Sequence, residues 1–428
     1  MKTAADARIR LKSLFLNTPR NRLVLSRLVL LGIVVLFCYN VYPSVVATFD
    51  FSALEYRYQK WMAEPGNLNW LISDSDLYAY VGGRYVKGVS PDEINFEHPP
   101  LAKYLIGMSI LVFNNPNVTS ALLGVASLLI LYEISKRLLG RSMFALVPVY
   151  MLSLDRLFID FSSMSMLDMY LAFFLLLSLL LISHPRSNSR LFAGMTALGL
   201  AAACKLTAIL AIPSLAVQVI MTRRNVSWKL FALGASAAGL VYCLSYTWFF
   251  VLGHGLSEFL NLQWNMLMFQ FGRRYGLPYP PGRLLLTFLT GIVGPETRNI
   301  LYVDEVSKSI TVVTTYGLAM AREFNPLTWP LCFSGTVMSL YESLKNRNVL
   351  RLQACILFFS FLVPFSFGQG FVWYLLPVIP IGFLLFTNVV KNIGEGMSVK
   401  RFLPALLIYL VALLVWSRLF AMPGFIKL

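Results

Sequence analysis

The sequence has few charged residues for its length. Of 428 residues, 13% are Asp, Glu, Lys or Arg and 57% are hydrophobic, whereas soluble globular chains carry about 25% charged and about 45–50% apolar residues. So little charge excludes a set of soluble domains. Apolar stretches recur from residue 28 to the C-terminus, which excludes a single anchor on a soluble head. The composition therefore indicates a multi-pass membrane protein.

Motifs for metal and nucleotide binding are also lacking. The five cysteines stand singly in apolar segments, without a C-x-x-C pair or another metal-ligand spacing. We interpret them as buried small hydrophobic residues. The loops G-x-x-x-x-G-K-[ST] and G-x-G-x-x-G do not occur, which excludes an ATP-driven transporter in a single chain.

Basic residues outnumber acidic residues, 36 to 20, and they cluster beside the apolar spans. Residues 1–27 hold seven Lys or Arg and one acid, and later clusters contain Arg137, Arg190 and Arg223. This distribution follows the positive-inside rule and predicts that residues 1–27 form a cytoplasmic N-terminus. Aromatic residues do not interleave with the clusters as in a nucleic-acid groove, so no nucleic-acid partner is expected. We expect an integral membrane protein of a prokaryotic cell membrane or of the endoplasmic reticulum.

Apolar segments of spanning length predict an all-α transmembrane domain over residues 28–428, with about 11 crossings. Segment 284–322 has two weak apolar pieces around a charged middle and would raise the count to 13 if both crossed. Residues 101–113 are too few to cross and are predicted as an interfacial helix. Residues 191–221 are predicted as a hairpin of two short helices with Lys205 near its outer apex. No soluble C-terminal domain is expected.

Two external loops are predicted, over residues 49–117 and 254–283. Residues 50–100 of the first hold eight acids and four Lys or Arg, and form the longest polar stretch of the chain. Asp74 and Asp76 lie two residues apart in this loop, and either could act as a general base toward a hydroxyl group. A solvated acidic loop is the alternative interpretation.

The first loop and two later segments resemble the GT-C class of glycosyltransferases, especially the protein O-mannosyltransferase and aminoarabinose transferase (ArnT-like) families. Those families place an acidic dyad or Asp after the first transmembrane helix, then a tyrosine-containing helix, then an H-P-P-L-x-K or F-E-K-P motif. Here residues 96–103 read Phe-Glu-His-Pro-Pro-Leu-Ala-Lys. Segment 154–174, in which Asp168 opens a span, and segment 194–205, which ends at Lys205, are similar too. The resemblance covers the first half of the chain well and the second half thinly.

The resemblance implies a GT-C-like helical fold and a membrane glycosyltransferase. Such an enzyme moves a sugar, most commonly mannose, from a polyprenyl or dolichyl phosphate to a hydroxyl of a protein Ser or Thr or of a lipid. The reaction takes place on the outer or luminal face with inversion at the anomeric carbon. The other partners expected are the surrounding membrane lipids. The rival interpretation is a polytopic lipid or solute transporter or flippase.

The same resemblance implies roles for particular residues. Catalytic residues would be Asp74, Asp76 and Asp168; the family's usual pair is Asp-Glu, so the choice of base between Asp74 and Asp76 stays open. The donor phosphate would be bound by four residues: Tyr78, His98, Lys103 and Lys205. Ser163 stands where the family often has Arg.

Physical arguments add three expectations. Lys205 between short apolar helices is costly to place, which favours a functional role over snorkelling to the interface. Asp168, at the start of an apolar span, needs a partner, for which Arg156 or a metal ion is expected; a helix N-terminal cap is the alternative interpretation. A divalent cation held by Glu97 and His254 is a further hypothesis, against which a surface histidine is the alternative.

Overall fold

The computed structural model describes residues 19–140, 143–183, 188–221, 228–275, 281–303, 310–367, 370–420 and 425–427. Most of the predicted cytoplasmic N-terminus, Arg223 and residues 276–280 of the second predicted loop lie outside these ranges. Most described residues are helical, and the predicted all-α class is confirmed.

Eighteen α-helices follow one another along the described residues. They are α1 (Pro19–Val46), α2 (Phe51–Ala63), α3 (Asp74–Tyr85), α4 (Leu101–Phe113), α5 (Val118–Leu139), α6 (Val147–Leu154), α7 (Arg156–Ser162), α8 (Leu167–Ile182), α9 (Asn188–Cys204), α10 (Ile212–Met221), α11 (Trp228–Leu244), α12 (Thr247–Val251), α13 (Leu256–Tyr275), α14 (Arg283–Thr290), α15 (Trp329–Asn346), α16 (Val349–Ser366), α17 (Ile379–Glu395) and α18 (Val399–Leu419). Short 3-10 helices cover Leu68–Trp70, Met143–Leu146, Leu206–Ala211 and Val372–Leu375.

Four helical segments are long and apolar enough to cross a membrane by length and composition. They are Leu23–Val46, Val118–Leu139, Val349–Ser366 and Lys400–Leu419. The pair α7 and α8 passes the same test together but bends by 110° at its break. The other crossings of the predicted 11 fall on shorter or more polar helices and stay a prediction.

Segment 284–322 differs from two spanning helices. Its first apolar piece is the eight-residue helix α14, and the rest is an antiparallel hairpin of β1 (Ile292–Val303) and β2 (Ile310–Met320). The β3 strand (Phe425–Lys427) adds to β2, which gives the order β1-β2-β3. An eight-residue helix is far shorter than the roughly 20 residues needed to span. Residues 310–315 of β2 are all β-branched, which favours a strand.

Most of the second predicted external loop is helical, because residues Leu256–Tyr275 form the long helix α13. Its external placement stays a prediction. Apolar residues recur through this segment among polar ones, so its composition is weakly hydrophobic but helical in pattern. The hydropathy of this segment, averaged over the length of a membrane span, is too low to predict a spanning helix.

The main core lies where α1 and α5–α8 meet α15–α17. Phe37 of α1 packs on Phe158 of α7, with ring centroids 5.4 Å apart, and Trp329 of α15 stacks on Phe288 of α14 at 5.5 Å. A smaller apolar cluster joins α2, α3 and α4 around Leu54, Ala79, Tyr80, Val81 and Tyr85. The first predicted external loop is therefore folded, with its own core beside the helix bundle.

Candidate active site

The start of α3 gives Asp74 and Asp76 different surroundings. Ser73 caps the helix: its Oγ accepts a hydrogen bond from the Asp76 backbone N–H at 3.2 Å and donates to Asp76 Oδ2 at 3.0 Å. The Asp76 carboxylate also forms an ion pair with Arg57 of α2. Asp76 thus holds the helix start and ties α2 to α3, a structural use of its carboxylate.

The Asp74 carboxylate is more available. Asp74 is the first residue of α3 and is exposed, and it makes no hydrogen bond or ion pair with the described residues. Its anion is stabilised by the positive end of the helix dipole. Of the two candidate bases, the surroundings favour Asp74; the choice between them stays a prediction.

Two serines fix Asp74 against the bend between α7 and α8. Ser75 Oγ lies 3.0 Å from Ser165 Oγ and accepts from the Ser165 N–H at 3.1 Å, while Ser165 Oγ donates to the Ser75 carbonyl at 2.8 Å. Ser165 lies in the break, so the start of α3 is joined to the residues that lead into α8. These contacts bring Asp74 and Asp168 into one electrostatic neighbourhood.

Asp168 pairs with Lys205 inside the protein. Lys205 Nζ lies 2.7 Å from Asp168 Oδ1, and the two side chains are 4% and 2% exposed. The expected partner Arg156 instead lies 3.3 Å from Asp160. Lys205 occupies the break between α9 and the next 3-10 helix, in an extended conformation with φ −156°. A buried charge is costly without a partner, so each group of this pair keeps the other in place.

An aromatic ring lies close to the same ammonium group. The centroid of the Tyr374 ring lies 4.7 Å from Lys205 Nζ, and Phe365 stacks on Tyr374 at 4.0 Å. Tyr78 of α3 is also buried, and its ring lies 6.2 Å from that of His98. Burial raises the pKa of Tyr78 well above its usual value, and the Asp74 carboxylate raises it further. The Tyr78 phenol therefore stays protonated and can act as a hydrogen-bond donor.

A cavity of about 210 Å³ opens beside Lys205. Its polar lining includes His98, Lys205, Gln270 and Tyr374, and the remainder is mainly apolar, from Leu206, Ile209, Leu210, Leu267, Pro364 and Phe365. Gln270 Nε2 donates to the Glu97 carbonyl at 2.9 Å and lies 3.5 Å from His98 Nδ1. An ammonium group, other polar side chains and hydrocarbon walls in one cavity suit an amphipathic ligand with an anionic head.

Lys103 is not in the wall of this cavity. Its side chain is fully buried, and its ammonium donates to the His98 carbonyl at 2.8 Å and to the Asn95 carbonyl. It also lies 5.6 Å from the centroid of the Tyr85 ring. Lys103 thus holds the turn that carries Glu97 and His98, so it acts on the site through their position.

Among the described residues, Glu97 and His254 do not belong to a cluster of metal-ligating side chains. His254 Nε2 lies 3.8 Å from Asp92 Oδ2, and its ring stacks on Phe249 at 4.3 Å. The Glu97 carboxylate interacts electrostatically with Lys103 and Tyr78. Within the ranges that the structure describes, three or more His, Cys, Asp or Glu do not gather as a metal site would require. Metal binding by Glu97 and His254 stays a prediction.

The structure thus brings most sequence-predicted residues together and adds others. One neighbourhood contains five of them: Asp74, Tyr78, His98, Asp168 and Lys205. Asp76 and Lys103 instead bind groups that hold this neighbourhood in place. Sequence reasoning missed Gln270 and Tyr374. Gln270 belongs to α13, within the second predicted external loop, and Tyr374 belongs to the short 3-10 helix Val372–Leu375.

Comparisons with known proteins agree with this architecture. The chain is similar to the crystal structure of ArnT from Cupriavidus metallidurans bound to undecaprenyl phosphate, with a TM-score of 0.52 and 19% identity over 76% of this chain and 57% of that chain. The apo ArnT structure gives 0.50, with the same identity and coverage. The apo oligosaccharyltransferase of Archaeoglobus fulgidus is similar at 0.42 and 12% identity, over 86% of this chain and 54% of that one. The fold is that of the GT-C membrane glycosyltransferases, as predicted.

A family model adds sequence evidence. Residues 97–249, about a third of the chain, match the model described as dolichyl-phosphate-mannose-protein mannosyltransferase. This range holds His98, Asp168 and Lys205, and the predicted resemblance is confirmed. No curated protein sequence matches at a significant level. The chain spans little more than half the length of the ArnT chain that it matches.

Proposed function

We propose that the protein is a GT-C glycosyltransferase that moves a sugar from a polyprenyl phosphate to an acceptor hydroxyl. The observation that carries the proposal is the cavity beside Lys205. It offers the Lys205 ammonium, held by Asp168, and the His98 ring to a phosphate, and apolar walls to a prenyl chain. The exposed Asp74 carboxylate interacts electrostatically with the same ammonium. The undecaprenyl phosphate bound in the similar ArnT structure and the family match over residues 97–249 support the same class of donor.

The proposed chemistry is a single displacement at the anomeric carbon. Asp74 accepts the proton of the acceptor hydroxyl as the oxygen attacks, a bond forms from that oxygen to the anomeric carbon, and the bond from this carbon to the phosphate oxygen breaks. The electron pair leaves with the phosphate, which becomes the free polyprenyl phosphate. Attack opposite to the leaving group inverts the anomeric carbon.

Positive charge and hydrogen-bond donors then stabilise the departing phosphate. Lys205 and His98 line the cavity, and the protonated Tyr78 lies beside His98. A phosphate dianion needs little protonation as a leaving group, so fixed donors are the main contribution to lowering the barrier. Asp168 holds the Lys205 ammonium in place.

The proposed sugar is mannose, because the matched family model is described by a mannose donor. The likeness to ArnT makes aminoarabinose the alternative sugar. The proposed acceptor is a hydroxyl of a protein Ser or Thr or of a lipid, on the outer or luminal face.

The test is release of polyprenyl phosphate by the purified protein. Undecaprenyl phosphate mannose and undecaprenyl phosphate aminoarabinose are supplied separately, with a membrane extract as the source of acceptor. We expect time-dependent release from the mannose donor and loss of release in Asp74→Asn. Release from the aminoarabinose donor alone would mean that the transferred sugar is aminoarabinose instead of mannose. If neither donor released polyprenyl phosphate, and the protein moved lipid across the membrane of proteoliposomes, the transporter hypothesis would be favoured over the enzyme hypothesis.

A further inference from the structure

A second polar cavity lies apart from the candidate active site. It has a volume of about 160 Å³, and its walls come from the C-terminal part of α1, the start of α7, the connection between β2 and α15, and the end of α18. None of its lining residues lines the cavity beside Lys205. Because pockets for whole small molecules measure ~300–1,000 Å³, a cavity of this size suits the polar head of a larger ligand.

Charged side chains of both signs line this cavity, which we call the mixed-charge pocket. Arg156 and Asp160 come from α7, one helical turn apart. Arg322 and Glu323 come from the connection between β2 and α15. Burial raises the pKa of the Glu323 carboxyl above its usual value, and the nearby Asp160 carboxylate adds to this effect. The Arg156 and Arg322 guanidinium groups act in the opposite direction, so all four charges lie close enough to interact.

Two of these charges have no partner within the described part of the chain. Arg156 Nε lies 3.3 Å from Asp160 Oδ2, and the Arg156 side chain stays 54% exposed. Arg322 and Glu323 form no ion pair with each other or with another described residue. The pocket therefore presents one positive and one negative group that a ligand carrying both charges would match.

The mixed-charge pocket lies on the side of the membrane that holds the candidate active site. Its lining residue Asn40 stands six residues before α1 ends at Val46, which is about 9 Å along a helix axis. The chain then leads through α2 to Asp74 without a candidate span. The end of α18 lies at the same level, because the Arg418 guanidinium is 5.7 Å from the centroid of the Tyr39 ring. The pocket is therefore placed near the headgroup region of that leaflet.

The two spans beside the pocket are the least buried of the candidate spans. Only 22% of the α1 span and 6% of the α18 span are buried, against 50% for the other two. Trp416 and Phe420, at the end of α18, line the pocket with aromatic rings whose centroids lie 5.0 Å apart. Aromatic side chains are enriched where a membrane meets water. A pocket bordered by such spans is reached from the lipid, so a membrane lipid is the fitting occupant.

We propose that the mixed-charge pocket binds the zwitterionic headgroup of an aminophospholipid of the phosphatidylethanolamine type. The lipid phosphate lies against Arg156 and Arg322. The primary ammonium lies against Asp160 and Glu323, to which it donates charge-assisted hydrogen bonds. The acyl chains follow the exposed faces of α1 and α18. This lipid site does not depend on sugar transfer.

The test measures lipid binding to the purified full-length protein by native mass spectrometry, with three probes that have the same acyl chains. Phosphatidylethanolamine carries a phosphate and a primary ammonium, phosphatidylcholine carries a quaternary ammonium without a hydrogen-bond donor, and phosphatidylglycerol carries no cation. We expect the wild type to bind phosphatidylethanolamine more tightly than phosphatidylcholine. Glu323→Gln should weaken phosphatidylethanolamine binding by about tenfold, through the loss of one charge-assisted hydrogen bond, and leave phosphatidylglycerol binding unchanged. Arg322→Gln should weaken phosphatidylethanolamine binding by a similar factor.

Lys60→Gln and Glu64→Gln are the matched controls. These residues form an exposed pair at the end of α2, 3.6 Å apart, and neither lines the pocket. Phosphatidylethanolamine binding should stay at the wild-type value in both controls. Arg322→Gln and Glu323→Gln should keep the wild-type thermal midpoint, since neither residue forms an ion pair within the described part of the chain.

The proposal is overturned by any of three results. Equal binding of phosphatidylethanolamine and phosphatidylcholine to the wild type would mean that the primary ammonium is not recognised. Unchanged phosphatidylethanolamine binding in Glu323→Gln would remove the ammonium site. Unchanged lipid binding in both Arg322→Gln and Glu323→Gln, together with slower release of polyprenyl phosphate, would make the pocket part of an acceptor site instead.

Discussion

Asp74 and Asp76 lie two residues apart, yet their carboxylates have different tasks in the structure. Asp74→Asn keeps the size of the side chain and removes proton acceptance, so we expect turnover from a labelled lipid donor to fall by about 10²–10⁴-fold. Asp76→Asn is the matched control on the same helix turn. Asp76 pairs with Arg57 and with the Ser73 cap. Asp76→Asn should therefore lower the thermal midpoint, and it should reduce turnover less than Asp74→Asn does. The reverse pattern would make Asp76 the base.

Lys205 gives the second residue-scale prediction. From the sequence, Lys205→Met removes a costly charge and is expected to spare folding. The buried pair with Asp168 changes this expectation, since Lys205→Met leaves an unpaired buried carboxylate. Such a break costs about 3–5 kcal/mol of folding free energy. We expect a lower thermal midpoint and weaker donor binding.

The double variant Lys205→Met/Asp168→Asn separates the two effects. It removes both charges, so the thermal midpoint should recover toward the wild-type value. Donor binding, measured by titration, should stay weak, because the phosphate has lost a charge-assisted partner. Recovery of wild-type donor affinity in the double variant would remove Lys205 from the donor site.

At the scale of elements, the crossing of α3 and α4 depends on two glycines. A Cβ at Gly82 would come within 2.5 Å of the Lys103 carbonyl oxygen, and a Cβ at Gly107 would meet the Gly82 carbonyl. Gly82→Ala or Gly107→Ala should therefore destabilise the protein by about 1–3 kcal/mol through overpacking. The same crossing positions Tyr78 and the turn held by Lys103, so turnover should fall as well.

Gly239→Ala on α11 is the control for this crossing. Gly239 also lies in a helix but has open space around it, so Ala should be neutral or slightly stabilising there. Equal thermal midpoints in all three variants, measured in one detergent, would mean that α3 and α4 are not in close contact.

The elements themselves differ in how far the sequence predicts them. Helices α4 and α5 begin and end at the predicted residues, because a spanning or surface helix satisfies its own backbone and its boundaries follow from local composition. Hydropathy alone does not distinguish the hairpin of β1 and β2 from apolar helices, although β-branched residues favour a strand at β2. The pairing of Asp168 with Lys205, 37 residues away, depends on how α8 and α9 pack, which local sequence does not specify.

The candidate site was predicted in part. The motifs shared with the GT-C families predict four site residues, and the structure places them near one another: Tyr78, His98, Asp168 and Lys205. The difference between Asp74 and Asp76 could not be read from their spacing, since it arises from Arg57 on another helix. Gln270 and Tyr374 reach the cavity only through the tertiary arrangement of α13 and the 3-10 helix before α17.

At the scale of the whole molecule, the orientation in the membrane is a prediction of the basic clusters. Asp74, Asp168 and His254 are predicted on the outer side, and Arg137, Arg190 and Arg223 on the cytoplasmic side. Asp74 and Arg190 are both exposed and suit cysteine labelling, whereas Asp168 is too buried to react. All five native cysteines are first replaced, since Cys38 and Cys243 are exposed.

In intact cells, Asp74→Cys should react with a membrane-impermeant maleimide, and Arg190→Cys should react only after the membrane is permeabilised. Labelling of position 190 with protection of position 74 would invert the topology. The candidate active site would then face the cytoplasm.

The central claim is that the cavity beside Lys205 receives the phosphate of a polyprenyl donor. The most direct measurement is a cryo-electron microscopy structure of the full-length protein with undecaprenyl phosphate in a lipid nanodisc. We predict phosphate density against Lys205 and His98, with prenyl density along Leu206, Leu210 and Phe365. An empty cavity at saturating lipid, or a phosphate bound elsewhere in the protein, would contradict the account.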